Sequence, residues 1–248
     1  MRLAKIAVIT GGSKGIGKET ALLFAQNNYK VFVLDVEKPT YHDDNIGYIN
    51  CDVTNTQMID NAIANVIAKA THIDVLVNNA GVHLSANIED TTEEDYERVM
   101  NINFKGCFFI LKAVLPYMRE RKKGAIVLLG SDQSFVGKPN NAIYGATKGA
   151  IAQLAKGAAL DYAKYNIRVN CVCAGTVDTP LYRNAIEKYS KKSGISVAKI
   201  EQDEAGLQPL NRIGKPQEVA ELIYFLCGNK ADFITGGLFP IDGGYTAG

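Results

Sequence analysis

The chain has 248 residues, enough for one well-buried core and short for two. Hydrophobic residues make up 47% and charged ones 21%, the balance of an ordinary globule and not of a disordered or fibrous chain. A formal charge of +1 without an extended basic run leaves no nucleic-acid footprint. The five cysteines, Cys51, Cys107, Cys171, Cys173 and Cys227, form no C-x-x-C pair and read as small buried side chains, not a disulfide framework. The apolar stretch at the N-terminus is too short for a signal peptide and no run approaches transmembrane length, so no membrane is expected and a reducing cytoplasm is the expected location.

Short apolar, β-branched runs alternate with longer amphipathic ones from end to end. Residues 5–10 read as a strand and 15–27 as a helix, followed by strands at 30–35 and 47–50 and a helix at 56–70. A strand at 73–77 leads to a long helical pattern, 92–121, expected to bend near Asn103. Its basic end, 119–123, reads as a solvated last turn favoured by the helix dipole. Strands at 125–130 and 167–173 bracket a helix at 142–165; a helix at 216–228 and a strand at 237–241 close the chain. Residues 179–214 are polar, carry two short helical patterns and are too long for a plain connection, which marks them as a substrate lid. The strands are apolar throughout, as when both faces of a parallel sheet are covered. The expectation is one α/β domain over 1–248, a Rossmann-type doubly wound parallel sheet of about seven strands flanked by helices.

The first strand runs into Thr10-Gly11-Gly12-Ser13-Lys14-Gly15-Ile16-Gly17, with a helix after it. Gly11, Gly15 and Gly17 permit a tight turn, close approach to a pyrophosphate and close helix–strand packing, while the helix N-terminus offers free N–H groups to the anion. Asp35 ends the next strand. There a carboxylate accepts from the adenosine ribose hydroxyls and repels a 2′-phosphate, which favours NAD over NADP; Lys14 weighs the other way. Asp52-Val53 follows the third strand, where an acid meets the adenine amino group. Asn78-Asn79-Ala80-Gly81 follows the fourth, with small residues where a ligand lies against the backbone.

Tyr144 and Lys148 are four apart on a predicted helix and share a face. A phenol titrates near 10 in water, so a tyrosine acting as a base at neutral pH needs about three units of help, ~4 kcal/mol. One ammonium at about 4 Å in an effective dielectric near 20 supplies ~4 kcal/mol. Ser131 sits just past the fifth strand. Taken alone, a tyrosine and a lysine on one helix face are an ordinary surface pair; with Ser131, the glycine turn and Asn79 they form a set.

These motifs resemble the short-chain dehydrogenase/reductase family along essentially the whole chain. T-G-x-x-x-G-x-G appears as Thr10 to Gly17, N-N-A-G as Asn78 to Gly81, and the serine and Y-x-x-x-K as Ser131, Tyr144 and Lys148; Asn103 falls at the family's asparagine. The resemblance implies an NAD-dependent oxidoreductase that interconverts a secondary alcohol and a ketone by direct hydride transfer. Tyr144 would be the general acid/base, Ser131 would bond the substrate oxygen, and Lys148 would assist Tyr144 and hold the nicotinamide ribose. Asn103 would kink its helix and hold a proton-relaying water. It also implies cofactor contacts at Gly175, Val177 and Thr179, and a homotetramer built on helices around 103–118 and 150–162. No metal is implied, and His42, His72 and His83 lack metal-ligand spacing. The family's usual Pro-Gly after the sixth strand is Ala174-Gly175 here, which frees the backbone at that position.

His83, Gln133 and Asn141 are polar residues expected near the substrate, pointing to a small hydroxy acid, polyol or sugar; the alternative is that His83 and Gln133 satisfy backbone groups. Two other functions fit the fold: an NADPH-dependent 3-oxoacyl-(acyl-carrier-protein) reductase, opposed by Asp35, and a non-catalytic cofactor-binding regulator, opposed by the intact catalytic set.

Overall fold

The computed structural model describes residues 4–248. Among the described residues seven strands form one sheet: β1 (Lys5–Thr10), β2 (Tyr29–Asp35), β3 (Ile46–Asn50), β4 (Val75–Asn78), β5 (Gly124–Leu129), β6 (Ile167–Ala174) and β7 (Leu238–Ile241). Their order is β3-β2-β1-β4-β5-β6-β7 and every pair is parallel. The helices are α1 (Gly15–Gln26), α2 (Thr56–Ala70), α3 (Glu93–Met100), α4 (Gly106–Arg121), α5 (Ala142–Tyr162), α6 (Pro180–Ser193), α7 (Val197–Gly206) and α8 (Pro216–Cys227). The doubly wound parallel sheet expected from the sequence is therefore present, with strand ends within two residues of expectation.

Alternate strand residues serve two cores, which is why the strands are apolar on both faces. Ile6, Val8, Phe32, Leu34, Leu76 and Ile126 pack under α2, α4 and α5. Ala7, Ile9, Val31, Val33, Val75 and Val77 pack on the other face with Phe24 of α1 and Ile223 of α8. From β1 the chain winds outward to β3, then crosses to β4 on the other side of β1. That reversal opens a crevice at the C-terminal strand ends, where ligands bind in open α/β sheets.

The bend expected near Asn103 takes the form of a π-helical turn, Asn101–Lys105, between α3 and α4. The whole run Glu93–Arg121 is long and apolar enough to cross a membrane, contrary to the reading of the sequence, but Ile110, Leu111, Val114 and Met118 are buried against the sheet. Arg121 also departs from the solvated end expected of it: its guanidinium meets the buried Asp74 at 3.1 Å. Asp74 further accepts from the Ile6 N–H at 2.9 Å and lies 3.0 Å from His72 Nε2. The segment 179–214, expected to serve as a lid, holds two helices, α6 and α7. Its base is tied by Asp178 N–H to Gly214 O (2.9 Å) and Gly214 N–H to Thr176 O (3.0 Å).

Candidate active site

The glycine turn is built for close packing. Gly11 and Gly15 take positive φ (64° and 55°), open to glycine at no steric cost, and a Cβ on Gly17 would lie 2.2 Å from Gly11 O. Asn79 locks the turn from β4: its side-chain amide donates to Thr10 O at 3.1 Å and Gly11 O at 2.8 Å. The N–H groups of Asn79 and Ala80 donate to Thr10 Oγ1 (3.0 and 3.1 Å). Beside this turn lies a cleft of about 400 Å³ lined by Gly11, Ser13, Lys14, Gly15, Ile16, Asp35, Asp52, Val53, Asn79, Ala80, Gly81 and Thr179, among others. At its far end Asp35 is oriented by two N–H donors, Ser13 at 2.9 Å and Glu37 at 3.1 Å. The Lys14 ammonium does not stand free: it pairs with Glu37 at 2.5 Å. One oxygen of Asp52 accepts from both Thr54 N and Thr54 Oγ1 at 2.8 Å. A glycine cradle at a helix N-terminus, with an acid at the strand tip beyond it, fits a dinucleotide.

A second cavity of about 570 Å³ shares Ile16, Asn79 and Gly81 with that cleft and is lined by Ser131, Tyr144, Lys148, Gly175, Val177 and Thr179. Ser131 caps a short 3-10 turn (Asp132–Ser134) after β5. Its Oγ accepts from Gln133 N at 3.2 Å and donates to Asp132 Oδ1 at 2.7 Å. Lys148 is buried, donates to Leu129 O at 2.7 Å and lies 5.6 Å from the centre of the Tyr144 ring. Asn103, 1% exposed, ties the loop after β4 to α5: its amide donates to Val82 O (3.0 Å) and Thr147 Oγ1 (3.1 Å) and its oxygen accepts from Val82 N (2.8 Å). Gly175 is held against β7, where a Cβ would meet Asp242 Cα at 2.8 Å. Thr179 caps α6, accepting from Tyr182 N at 3.2 Å.

Beyond Tyr144 the wall is polar on the strand side and apolar on the lid side. His83 Nε2 meets Asn141 Oδ1 at 2.5 Å and its ring packs edge-on against Tyr144, 4.8 Å between centres. Burial lowers the His83 pKa, partly offset by the Asn141 bond, so its ring is neutral at pH 7. Lys138 pairs with the buried Asp132 at 2.8 Å. Burial alone would lower that ammonium, but Asp132 outweighs it and the pKa is raised. From the lid, Glu204 accepts from Thr176 Oγ1 at 3.1 Å. Burial and then the Glu204 carboxylate push the Tyr182 phenol up to about 12, leaving it protonated. Asp132, Lys138, Tyr182 and Glu204 were not singled out by sequence. The first two stand within seven residues of Ser131, a cue that loop proximity offers; the lid pair carries no local signal. Among the described residues no group of three or more His, Cys, Asp or Glu is gathered to hold a metal.

A family model described as enoyl-(acyl carrier protein) reductase matches residues 11–246. The chain is 35% identical over 254 residues to a 3-oxoacyl-[acyl-carrier-protein] reductase of Thermotoga maritima, covering 98% of this chain and 99% of that one. It is 43% identical to the solved structure of a short chain dehydrogenase family protein from Francisella tularensis, with a TM-score of 0.92 and full coverage of both chains. The ligand-free aldohexose dehydrogenase of Thermoplasma acidophilum is 34% identical, with a TM-score of 0.94 and coverage of 99% and 95%. Other solved relatives hold NADP or NADPH.

Proposed function

The chain belongs to the short-chain dehydrogenase/reductase family, as an NAD(P)-dependent oxidoreductase acting on CH–OH groups, and from that premise we propose that it interconverts a small polar secondary alcohol and its ketone using NAD. The carrying observation is a single cavity lined by Ser131, Tyr144 and Lys148 and continuous with the cleft that Asp35 closes. When bound, the nicotinamide supplies the two-electron chemistry. Tyr144 Oη takes the proton of the substrate hydroxyl in oxidation and returns it in reduction. Ser131 Oγ hydrogen-bonds the same oxygen. The Lys148 ammonium stabilises negative charge on the phenolic oxygen and holds the nicotinamide ribose. The Asn103 side chain is committed to Val82 and Thr147, so a water relaying the proton to bulk would be held by its main chain in the π turn.

NAD is favoured because Asp35, held in place by two N–H donors at the strand tip, would meet the ribose hydroxyls, while Glu37 pairs with Lys14. The same pair of acids weighs against an NADPH-dependent 3-oxoacyl-(acyl-carrier-protein) reductase. A purely regulatory role is opposed by the intact catalytic set. The soluble unit we propose is a homotetramer formed through α4 and α5. Tyr144→Phe keeps the ring and removes the proton carrier: turnover is expected to fall roughly 10²–10⁴-fold while NAD affinity, followed by titration calorimetry, is retained. Turnover unchanged in this variant rules the mechanism out.

A further inference from the structure

The substrate cavity has no cation to spare. Among the described residues no arginine lines it. Its two lysines are both committed: Lys138 is paired with Asp132 at 2.8 Å, and Lys148, which donates to Leu129 O at 2.7 Å and keeps its charge, is the cation that the proposed mechanism assigns to Tyr144 and the nicotinamide ribose. His83 is neutral and bonded to Asn141. Two acids face the cavity from α7: Glu204, bonded to Thr176, and Asp203, paired with Lys199 at 2.6 Å. A carboxylate or phosphate entering this space would lose hydration without gaining a counter-charge.

The same wall holds unmet hydrogen-bonding capacity. Among the described residues, two buried side-chain polar atoms lack a partner, Gln133 Oε1 and Tyr182 OH, and both residues line this cavity. Buried polar groups are normally paired, and an orphaned pair in a cavity wall marks where a ligand completes the set. Gln133 sits one residue beyond Asp132 in the turn that Ser131 caps, its oxygen close to where a Cβ on Gly145 would stand (3.2 Å). Tyr182 faces from the first turn of α6. A hydroxyl group both donates and accepts, so it suits an amide and a phenol alike. Between these two points the lid contributes Leu181, Ile186, Ile200 and Leu207, surfaces suited to the C–H face of a ring or short chain.

Resting on the oxidoreductase reading above, we infer that the substrate is a neutral polyhydroxylated molecule, a sugar or polyol, not a hydroxy acid, with hydroxyls beyond the reacting carbon bonded by Gln133 and Tyr182. A site built to bond a hydroxyl discriminates strongly against an analogue that lacks it. The test is steady-state kinetics with NAD on three matched sets: neutral aldoses and alditols, hydroxy acids of similar size including lactate, 3-hydroxybutyrate and gluconate, and apolar secondary alcohols such as cyclohexanol. The best sugar or alditol is expected to exceed the best member of each other set in kcat/KM by at least about tenfold. Tyr182→Phe, which removes one oxygen from a lid helix and leaves the ring in place, is expected to raise KM for that substrate about tenfold with kcat little changed. Gln133→Leu is expected to act likewise and to narrow the margin over cyclohexanol. A hydroxy acid ahead in the unaltered enzyme overturns the inference alone, as does a Tyr182→Phe enzyme with unchanged KM for its best sugar; an apolar alcohol ahead overturns the inference together with the polar-substrate reading and leaves the oxidoreductase reading standing. No turnover in any set, in either direction and with either dinucleotide, overturns the oxidoreductase reading and the inference with it.

Discussion

At the scale of single residues, the proposed preference for NAD turns on three charges. Asp35 is the fixed one: two N–H donors aim its carboxylate, so it cannot swing away from an incoming 2′-phosphate without leaving them unpaired. Lys14 is the group that would welcome that phosphate, and Glu37 holds it at 2.5 Å. Both partners of this pair are more than half exposed, so it adds little to stability. Its consequence is a cancelled field at the cleft mouth. Glu37→Gln should release Lys14 and raise kcat/KM for NADP about tenfold with little change for NAD, a shift worth ~1.4 kcal/mol of binding. Adding Asp35→Ser should raise it further and lower kcat/KM for NAD, because the ribose hydroxyls then lose a charged acceptor. The ratio of NADP to NAD efficiency across the two variants measures both effects; a ratio unmoved by Glu37→Gln would assign the preference to Asp35 alone.

At the scale of elements, the strand and helix periods were plain in the sequence because burial on both faces of the sheet leaves little room for polar residues within a strand. Ile73 is buried and reads as strand, yet β4 begins at Val75; just before it the Asp74 carboxylate bonds the Ile6 N–H and meets Arg121 from the end of α4. Nothing in the local pattern of 119–123 announces that one of its basic residues is spent on a carboxylate 47 positions earlier. The π turn was half legible: its place was expected at Asn103, but its form follows from bonds to Val82 and Thr147 that lie outside the helix. Asp74 thus fastens the start of β1, the start of β4 and the end of α4. Asp74→Ala strands the Ile6 N–H and two basic side chains, a loss of about 3 kcal/mol. In a chain of this size that lowers Tm by roughly 6–12 °C, readable by circular dichroism; a shift below about 2 °C would show that solvent satisfies these groups instead.

At the scale of the whole molecule, the residues proposed as catalytic and cofactor-binding come from the C-terminal ends of the strands, the π turn at Asn103 and the first two turns of α5. Each sits in a short contiguous motif, and that made them readable. The substrate wall has another origin: α6 and α7 fold over the strand ends and bring Tyr182 and Glu204 to Gln133 across gaps of about 50 to 70 residues, which no local pattern encodes. The outer surface poses a similar problem of long range. Lone exposed apolar residues are ordinary on a globule, but Leu160 on α5 is 82% exposed and Phe108 on α4 is 45% exposed, on the two helices proposed to assemble. Both helices also keep their inner faces in the main core, through Ile110, Val114, Ala152 and Ala155, while Leu160 and Phe108 belong to neither core, Phe108 meeting the adjacent Phe109 ring edge-on. Leu160→Arg places a charge where a second copy would cover it. Such a charge is costly when buried unpaired and harmless in water. Light scattering should therefore give four chain masses for the unaltered protein and one or two for the variant, with the same far-ultraviolet circular dichroism. A single chain mass for the unaltered protein rejects the assembly, and four masses for both proteins place its contacts elsewhere than α5.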